Sequence, residues 1–201
     1  TSCHPDARSD CLNWDLLNDG IGNPKNSHTM LLSHRTPPVM STGVRDSAET
    51  AVRAGIKYIQ FAQMSEEESL AIDEYLKSMK PVPSPRLERG WFGRMVLSPA
   101  ASRGSKLFFN DEVGCASCHS GPLMTDLKLH DVGTRGPLDT RDAFDTPSLI
   151  ECWRTAPYLH DGSAATIREM LTSRNSKDAH GNTSGLTDIQ IDDLAEFVHS
   201  Q

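Results

Sequence analysis

The chain has 201 residues, a length that holds one or two small domains. A formal net charge of −7, with 37% hydrophobic and 23% charged residues, argues against nucleic acid and against a basic membrane-surface helix. No stretch approaches the roughly eighteen apolar residues of a membrane span, and no signal peptide is visible.

The chain opens on Thr1-Ser2-Cys3-His4, without an initiator Met. Residues 5–45 show little periodicity and many breakers: Asp19-Gly20, Gly22-Asn23-Pro24, Pro37-Pro38 and Thr42-Gly43. They read as loop wrapped around something, and the twelve prolines and fourteen glycines extend that pattern of long irregular connections to the whole chain. His28, His34 and Met40 lie in this loop and offer donors to a metal from the distal side, although surface or packing is the ordinary use of each.

From Ser47 to Met64 the residues Ala48, Val52, Ile56, Ile59 and Ala62 recur at helical spacing and predict an amphipathic helix. Ser65 is an expected N-cap, with Glu66, Glu67 and Glu68 in the first turn, where the helix dipole favours anions. Leu70, Ile72, Tyr75, Leu76 and Met79 then form one broad apolar face. This second helix stops near Lys80, because Pro81, Pro83 and Pro85 cannot continue it, and residues 80–95 read as a linker. Ser98-Pro99 opens a third helix that runs through Leu107-Phe108-Phe109.

That helix leads into Cys115-Ala116-Ser117-Cys118-His119. Two thiols three apart followed at once by a histidine form the attachment pattern of c-type haem: each thiol adds to one vinyl group, and the imidazole reaches the iron from the proximal side. Half a zinc site would need a second ligand pair, but Cys3, Cys11 and Cys152 are scattered singly, and a thioredoxin-type pair would need a β-α-β context. The opening Thr1-Ser2-Cys3-His4 then reads as the tail of a second attachment motif whose first cysteine precedes Thr1, the alternative being a Cys3–Cys11 disulfide. Cys11 and Cys152 are expected to be unpaired, partly buried thiols. Beyond His119 comes a long loop with Met124, His130 and Gly133, then an aromatic-rich segment from Phe144 to Gly162. Thr166 to Leu171 starts a short helix, His180-Gly181 lies in a polar loop, and Thr187 caps a last amphipathic helix.

The chain also repeats itself. Arg35-Thr36-Pro37-Pro38 followed by Gly43 matches Arg154-Thr155-Ala156-Pro157 followed by Gly162, and Ser65–Ser78 lies over Thr187–Ser200. His4 precedes Arg35 by about the same distance as His119 precedes Arg154, which supports a haem at His4. The expected architecture is all-α: two tandem cytochrome c-like domains, residues 1–85 and 86–201, with long haem-wrapping loops.

The segments SPAASRGSKLFF, CASCHSGPLMTD and DTPSLIECWRTAPYLHDGSAATIREML, with the closing helix, resemble the bacterial di-haem cytochrome c peroxidases and their methylamine-utilisation relatives. The resemblance is strong in the C-terminal half and weak in the first. It implies two α-helical domains with one haem c each, and it matches Cys115, Cys118 and His119 to the attachment cysteines and proximal ligand of the C-terminal haem. The family's distal Met for that haem falls on Arg174, which cannot ligate iron; His180 is the preferred substitute, Met170 the alternative, and Met124 trails. The family's distal His of the peroxidatic haem has no counterpart around Asn18 to Ile21, which weakens the case for peroxide chemistry. His160, in PYLHDG, is expected to hold the fold or a ligand rather than the iron. A calcium ion between the domains is implied by resemblance alone.

Two functions follow as expectations. One is an electron carrier with both irons six-coordinate, passing electrons to a small cytochrome or cupredoxin; the acidic surface suits a basic redox partner. The other is a peroxide-reducing enzyme with one open iron and an acid or base beside it, for which Glu49, Glu66 and Glu68 are available. A third reading makes the chain a haem-bearing docking domain of a larger multi-haem complex. Because c-type haem is attached outside the cytoplasm, a periplasmic or other extracytoplasmic location is expected.

Overall fold

The computed structural model describes residues 3–16 and 21–201. Thr1 and Ser2 of the expected first motif, the Asp19-Gly20 turn and Asn18 lie outside the described residues. Among the described residues the regular structure comprises α1 (Ala48–Ala54), α2 (Glu66–Ser78), α3 (Pro99–Phe108), α4 (Ile167–Leu171) and α5 (Asp188–His199). Three antiparallel ribbons pair β1 (Asn13–Trp14) with β2 (Lys25–Asn26), β3 (Glu88–Arg89) with β4 (Met95–Val96), and β5 (Leu129–His130) with β6 (Phe144–Asp145). The chain is therefore mainly helical in its longer elements, and the ribbons make "all-α" a loose description.

Local chemistry sets the helix starts. The Ser65 hydroxyl accepts from the Glu68 N–H while the Glu68 carboxylate accepts from Ser65, and Thr187 and Gln190 do the same for α5. Ser98 and Ser47 cap α3 and α1. The helix expected over 47–64 is shorter: α1 ends at Ala54, continues as one π turn over Gly55–Ile59, and leaves Ile59 and Phe61 exposed. Only Ala48, Val52 and Ile56 find a surface to bury against, so the apolar periodicity beyond Ile56 has no partner to hold it helical. The expected apolar face of α2 is also corrected. Ser69, Asp73 and Leu76 face inward, whereas Leu70 and Tyr75 are exposed, because α2 buries the Asp73 carboxylate against Arg53 and His34.

The larger core gathers Phe108, Val113, Ile167, Leu171, Ile191, Leu194, Phe197 and Val198, and a smaller one gathers Ala7, Val52, Ile56 and Leu76. The contact of α3 with α5 dominates the first. A Cβ on Gly104 would stand 1.8 Å from the Asp193 carbonyl oxygen, so only glycine permits the approach, and the neighbouring Arg103 forks onto Asp193 with two bonds of 2.6 Å. The 80–95 segment is not a free linker: Ser84 is buried and donates to the His199 carbonyl, and the β3–β4 ribbon projects beyond it.

The internal repeat is visible in the backbone at one constant offset. Leu32 and Glu151 share a left-handed φ, as do Met40 and Leu159, and Gly43 and Gly162. Ser33–Arg35 and Cys152–Arg154 form matching single turns, and the bridge Val39–Arg45 matches Tyr158–Ala164. The N-caps Ser47 and Thr166 and the strands β2 and β6 fall into the same register. The two repeats exchange equivalent hydrogen bonds: Asn26 N–H donates to the His160 carbonyl and Asp145 N–H to the Ser41 carbonyl, both at 2.8 Å.

Candidate haem centre

Cys115–Ser117 form a single turn after Gly114, whose φ of +80° lets the chain reverse out of α3. His119 follows and is buried. Its Nδ1 lies 3.1 Å from the Met124 carbonyl, which can only accept, so Nδ1 carries the proton and Nε2 is left as a donor for a metal. Burial lowers the pKa of His119, which favours the neutral, ligating ring. Burial pushes the Cys115 thiol up to about 11.

The ring of His180 faces that of His119, with centroids 6.2 Å apart and planes inclined by 32°. Two imidazoles on opposite sides of one metal, each bonded at about 2 Å, have centres roughly 6 Å apart. His180 is held at about pKa 4 by burial and by His119, and its Nδ1 is buried without a hydrogen-bond partner among the described residues. Loop 175–183 is built to present it. The buried Asn175 amide donates to the carbonyls of His180 and Gly181 and to Thr183 Oγ1, while its oxygen accepts from the His180 N–H. Gly181, at φ +82°, lies against Val113 and Cys115; a Cβ there would be 3.7 Å from the Cys115 Sγ. The Cys115–Ser117 turn and the His180 loop thus pack on each other, and the donor set fits a c-type haem with imidazoles on both sides. Sequence reasoning missed Asn175; a lone Asn in a polar loop carries no signal that distinguishes a buried hub from a surface residue.

In the first repeat His4 is also partly buried, and its Nδ1 lies 3.2 Å from the Arg8 carbonyl, the same pattern that His119 shows. All five cysteines are free thiols, so Cys3 and Cys11 are not joined; Cys11 contacts the Arg154 carbonyl and Cys152 is buried against Val198. His34 is engaged elsewhere: its Nε2 lies 3.1 Å from buried Asp73. Met40 sits at a left-handed corner of its loop, and Met170 packs against the larger core. Met124 is buried, and its carbonyl fixes His119.

The candidate acids are likewise committed. Glu66 pairs with Arg53, Glu68 closes the α2 capping box, and Glu49 faces Lys77 and His34. His160 stacks on Phe144 at 3.6 Å and bonds buried Asp139 at 2.8 Å. Burial alone would raise the Asp139 pKa, but Lys25, Gly136, Asn23 and His160 together hold it well below the usual carboxylate range. Cys118, Asp126 and His130 bring ligand atoms within 4.8 Å of one another, and Asp126 also bonds His130 at 2.8 Å.

A family model described as RoxA-like, cytochrome c-like matches residues 143–180, the segment from β6 through the His180 loop. The gamma subunit of hydrazine synthase from Kuenenia stuttgartiensis is 28% identical over 98% of this chain and 70% of that protein. A cytochrome-c peroxidase of Denitromonas iodatirespirans is 28% identical over 59% of this chain, and the methylamine utilization protein MauG of Methylorubrum extorquens is 36% identical over 35%. The chain is similar to the di-haem cytochrome c peroxidases and MauG-like proteins.

It spans 44% and 24% of those peroxidase and MauG relatives. Solved hydrazine synthase from Kuenenia stuttgartiensis superposes with a TM-score of 0.90 at 26% identity, covering all of this chain and 80% of that one. A MauG-like protein associated with microbial copper homeostasis shares the fold at a TM-score of 0.73. Likeness to cytochrome c proteins points to haem c as the cofactor. No helix among the described residues is long and apolar enough to cross a membrane.

Proposed function

We propose that the chain is a di-haem c-type cytochrome made of two tandem cytochrome c-like domains, residues 1–85 and 86–201, that passes electrons between its haems and a redox partner. The observation that carries this reading is the pair of buried, facing imidazoles of His119 and His180 at 6.2 Å. Cys115 and Cys118 would hold a haem c through their sulfurs, with the imidazoles of His119 and His180 as its nitrogen donors. A c-type haem there supplies reversible one-electron chemistry. The protein's part is to keep both rings neutral by burial, to lock the His119 tautomer through Met124 and to fix His180 through Asn175, so that neither ligand moves when the charge changes.

Cys3 and His4 take the same roles for the first haem, supported by the shared Nδ1-to-carbonyl bond and by the common register of the two repeats. One observation favours a catalytic variant of this reading. The repeat aligns residues 55–64, between α1 and α2, with the loop that presents His180 between α4 and α5. That stretch carries no histidine; it is a π turn followed by exposed Phe61 and Met64. A first iron that took no distal ligand from this stretch, nor from the buried His28 beside His4, would be open to peroxide or another small oxidant. Gln60 and Gln63 are the polar side chains near its end, and neither is an acid.

The extensive likeness to a synthase subunit supports a place for this chain beside other redox proteins, either a small donor protein or the haem domains of a larger assembly. Haem attachment places the protein outside the cytoplasm. The test is haem quantification with oxidised, reduced and carbon monoxide spectra. Two haems per chain with one carbon monoxide-reactive iron fits the catalytic variant, two unreactive low-spin haems fit the pure carrier, and one haem removes the assignment of Cys3 and His4.

A further inference from the structure

We propose that Glu151 is a positioning residue for the first haem: acting through Arg8, it fixes the carbonyl that sets the tautomer and direction of His4, so that coordination in the first repeat depends on its contact with the second. This rests on the reading of Cys3 and His4 as a haem site.

Beyond the two histidines the repeats build one shared structure. Asp10 accepts the N–H of Leu12 at 3.1 Å and the indole N–H of Trp14 at 2.8 Å. Asp126 accepts the N–H of Lys128 at 3.1 Å and meets the His130 ring at 2.8 Å. Ser9 donates to the Ser27 carbonyl as Thr125 does to that of Thr146, and Cys11 and Leu127 share a left-handed φ, +61° and +60°. In that register Arg8 stands where Met124 stands. Each offers its carbonyl to a histidine Nδ1, at 3.2 Å for His4 and 3.1 Å for His119.

The two carbonyls are anchored differently. Met124 is buried and packs into the larger core of its own repeat. A guanidinium cannot be held in that way. Arg8 instead reaches across to the second repeat, where its Nε and Nη2 fork onto the Glu151 carboxylate at 2.7 and 2.8 Å. Its other two contacts, to the Asp6 and Lys80 carbonyls, are both 3.3 Å long and exposed, which leaves Glu151 as the anchor. Glu151 is 1% exposed and accepts the Val82 N–H at 2.6 Å, so the carboxylate cannot follow a moving arginine. A two-pronged, charge-assisted pair is strict in direction. Arg8 N–H also bonds the Pro5 carbonyl, so the turn that begins at His4 is tight and a displaced side chain moves the acceptor with it. The counterpart of Glu151 in the first repeat is Leu32, which carries no charge, so the device acts on His4 and is not repeated at His119.

A hydrogen bond from Nδ1 makes an imidazole a stronger donor at Nε2 and favours the ferric state of a haem bound there. Loosening the bond therefore raises the potential of the first haem. Charge alone acts otherwise: loss of the Glu151 charge raises that potential and loss of the Arg8 charge lowers it.

The holoprotein is titrated spectroelectrochemically as wild type, Glu151→Gln, Arg8→Gln and Arg8→Lys, with Gly104→Ala as a variant destabilised at the α3–α5 crossing. The expected result is a higher midpoint potential of the first haem in both glutamine variants and a smaller rise in Arg8→Lys, whose cation reaches Glu151 without the fork. The second haem keeps its potential throughout, and Gly104→Ala keeps both. If Arg8→Gln fails to fold or to load haem, Arg8→Lys decides, because it keeps the charge. Shifts of opposite sign in Glu151→Gln and Arg8→Gln overturn the proposal in favour of charge alone. Unmoved potentials in the Glu151 and Arg8 variants also overturn it and leave the haem reading standing, as does an equal shift in Gly104→Ala, which would make the effect general loosening. A wild-type holoprotein with one haem per chain overturns the reading of Cys3 and His4 and the proposal with it.

Discussion

At the scale of single residues, the centre depends on which nitrogen of each histidine is left free. The Met124 carbonyl fixes that for His119, and Asn175 fixes the position of His180. Replacing His180 with alanine is expected to convert a haem held at His119 from low-spin to high-spin and to make it bind carbon monoxide, read by optical and paramagnetic resonance spectra. A spectrum that stays low-spin would mean that another residue, such as Met170, supplies the sixth ligand. Asn175→Ala is expected to give a mixture of the two spin states, because the loop loses four hydrogen bonds that involve one side chain. Asp139 belongs to the same scale. Its carboxyl titrates below its unfolded value, so the stability it contributes is present above about pH 4 and is lost as pH falls through the folded pKa. Acid unfolding of Asp139→Asn should therefore show a shallower loss of stability below pH 4 than the wild type, followed by circular dichroism. The candidate attachment residues stand out in the sequence because covalent haem chemistry demands one spacing. The choice of His180 over Met170 was legible only as a preference, because axial ligation asks for proximity in space and leaves no fixed spacing in the chain.

At the scale of elements, the helix starts follow local rules and the helix faces do not. The capping boxes at Ser65 and Thr187 are readable from four residues each. The early end of α1 and the inward turn of Asp73 are not, because both depend on what lies opposite. Arg53 and His34 come from other elements, and they decide that a carboxylate rather than Leu70 faces inward. The α3–α5 crossing is the element-level contact most exposed to a single change. Gly104→Ala places a methyl group against the Asp193 backbone, and a loss of about 3 kcal/mol is expected from denaturant unfolding, more than overpacking usually costs at a yielding side-chain contact. A loss below about 1 kcal/mol would show that the two helices slide apart without penalty.

At the scale of the whole molecule, the N-terminal segment, the 80–85 stretch and the second repeat meet at Glu151. Its buried carboxylate accepts from Arg8 at 2.7 and 2.8 Å and from the Val82 N–H at 2.6 Å. Burial opposes its ionisation, but Arg8 and Val82 outweigh that and hold its pKa below the ordinary value. Glu151→Ala leaves Arg8 facing an empty, poorly solvated site and is expected to cost about 3 kcal/mol. It should also speed proteolysis near the N-terminus, measured by limited digestion. Unchanged digestion would mean that the segment is held by other contacts. By itself the sequence determined the attachment-type pattern at Cys115, Cys118 and His119, the helix caps and the existence of an internal repeat, because each is written in residue types at short fixed spacing. Only the tertiary structure decided that His180 faces His119, that the two repeats exchange hydrogen bonds, and that Arg8 of one repeat is held by Glu151 of the other. Those outcomes depend on burial and on the approach of segments far apart in the chain, and nothing in their local sequence fixes either.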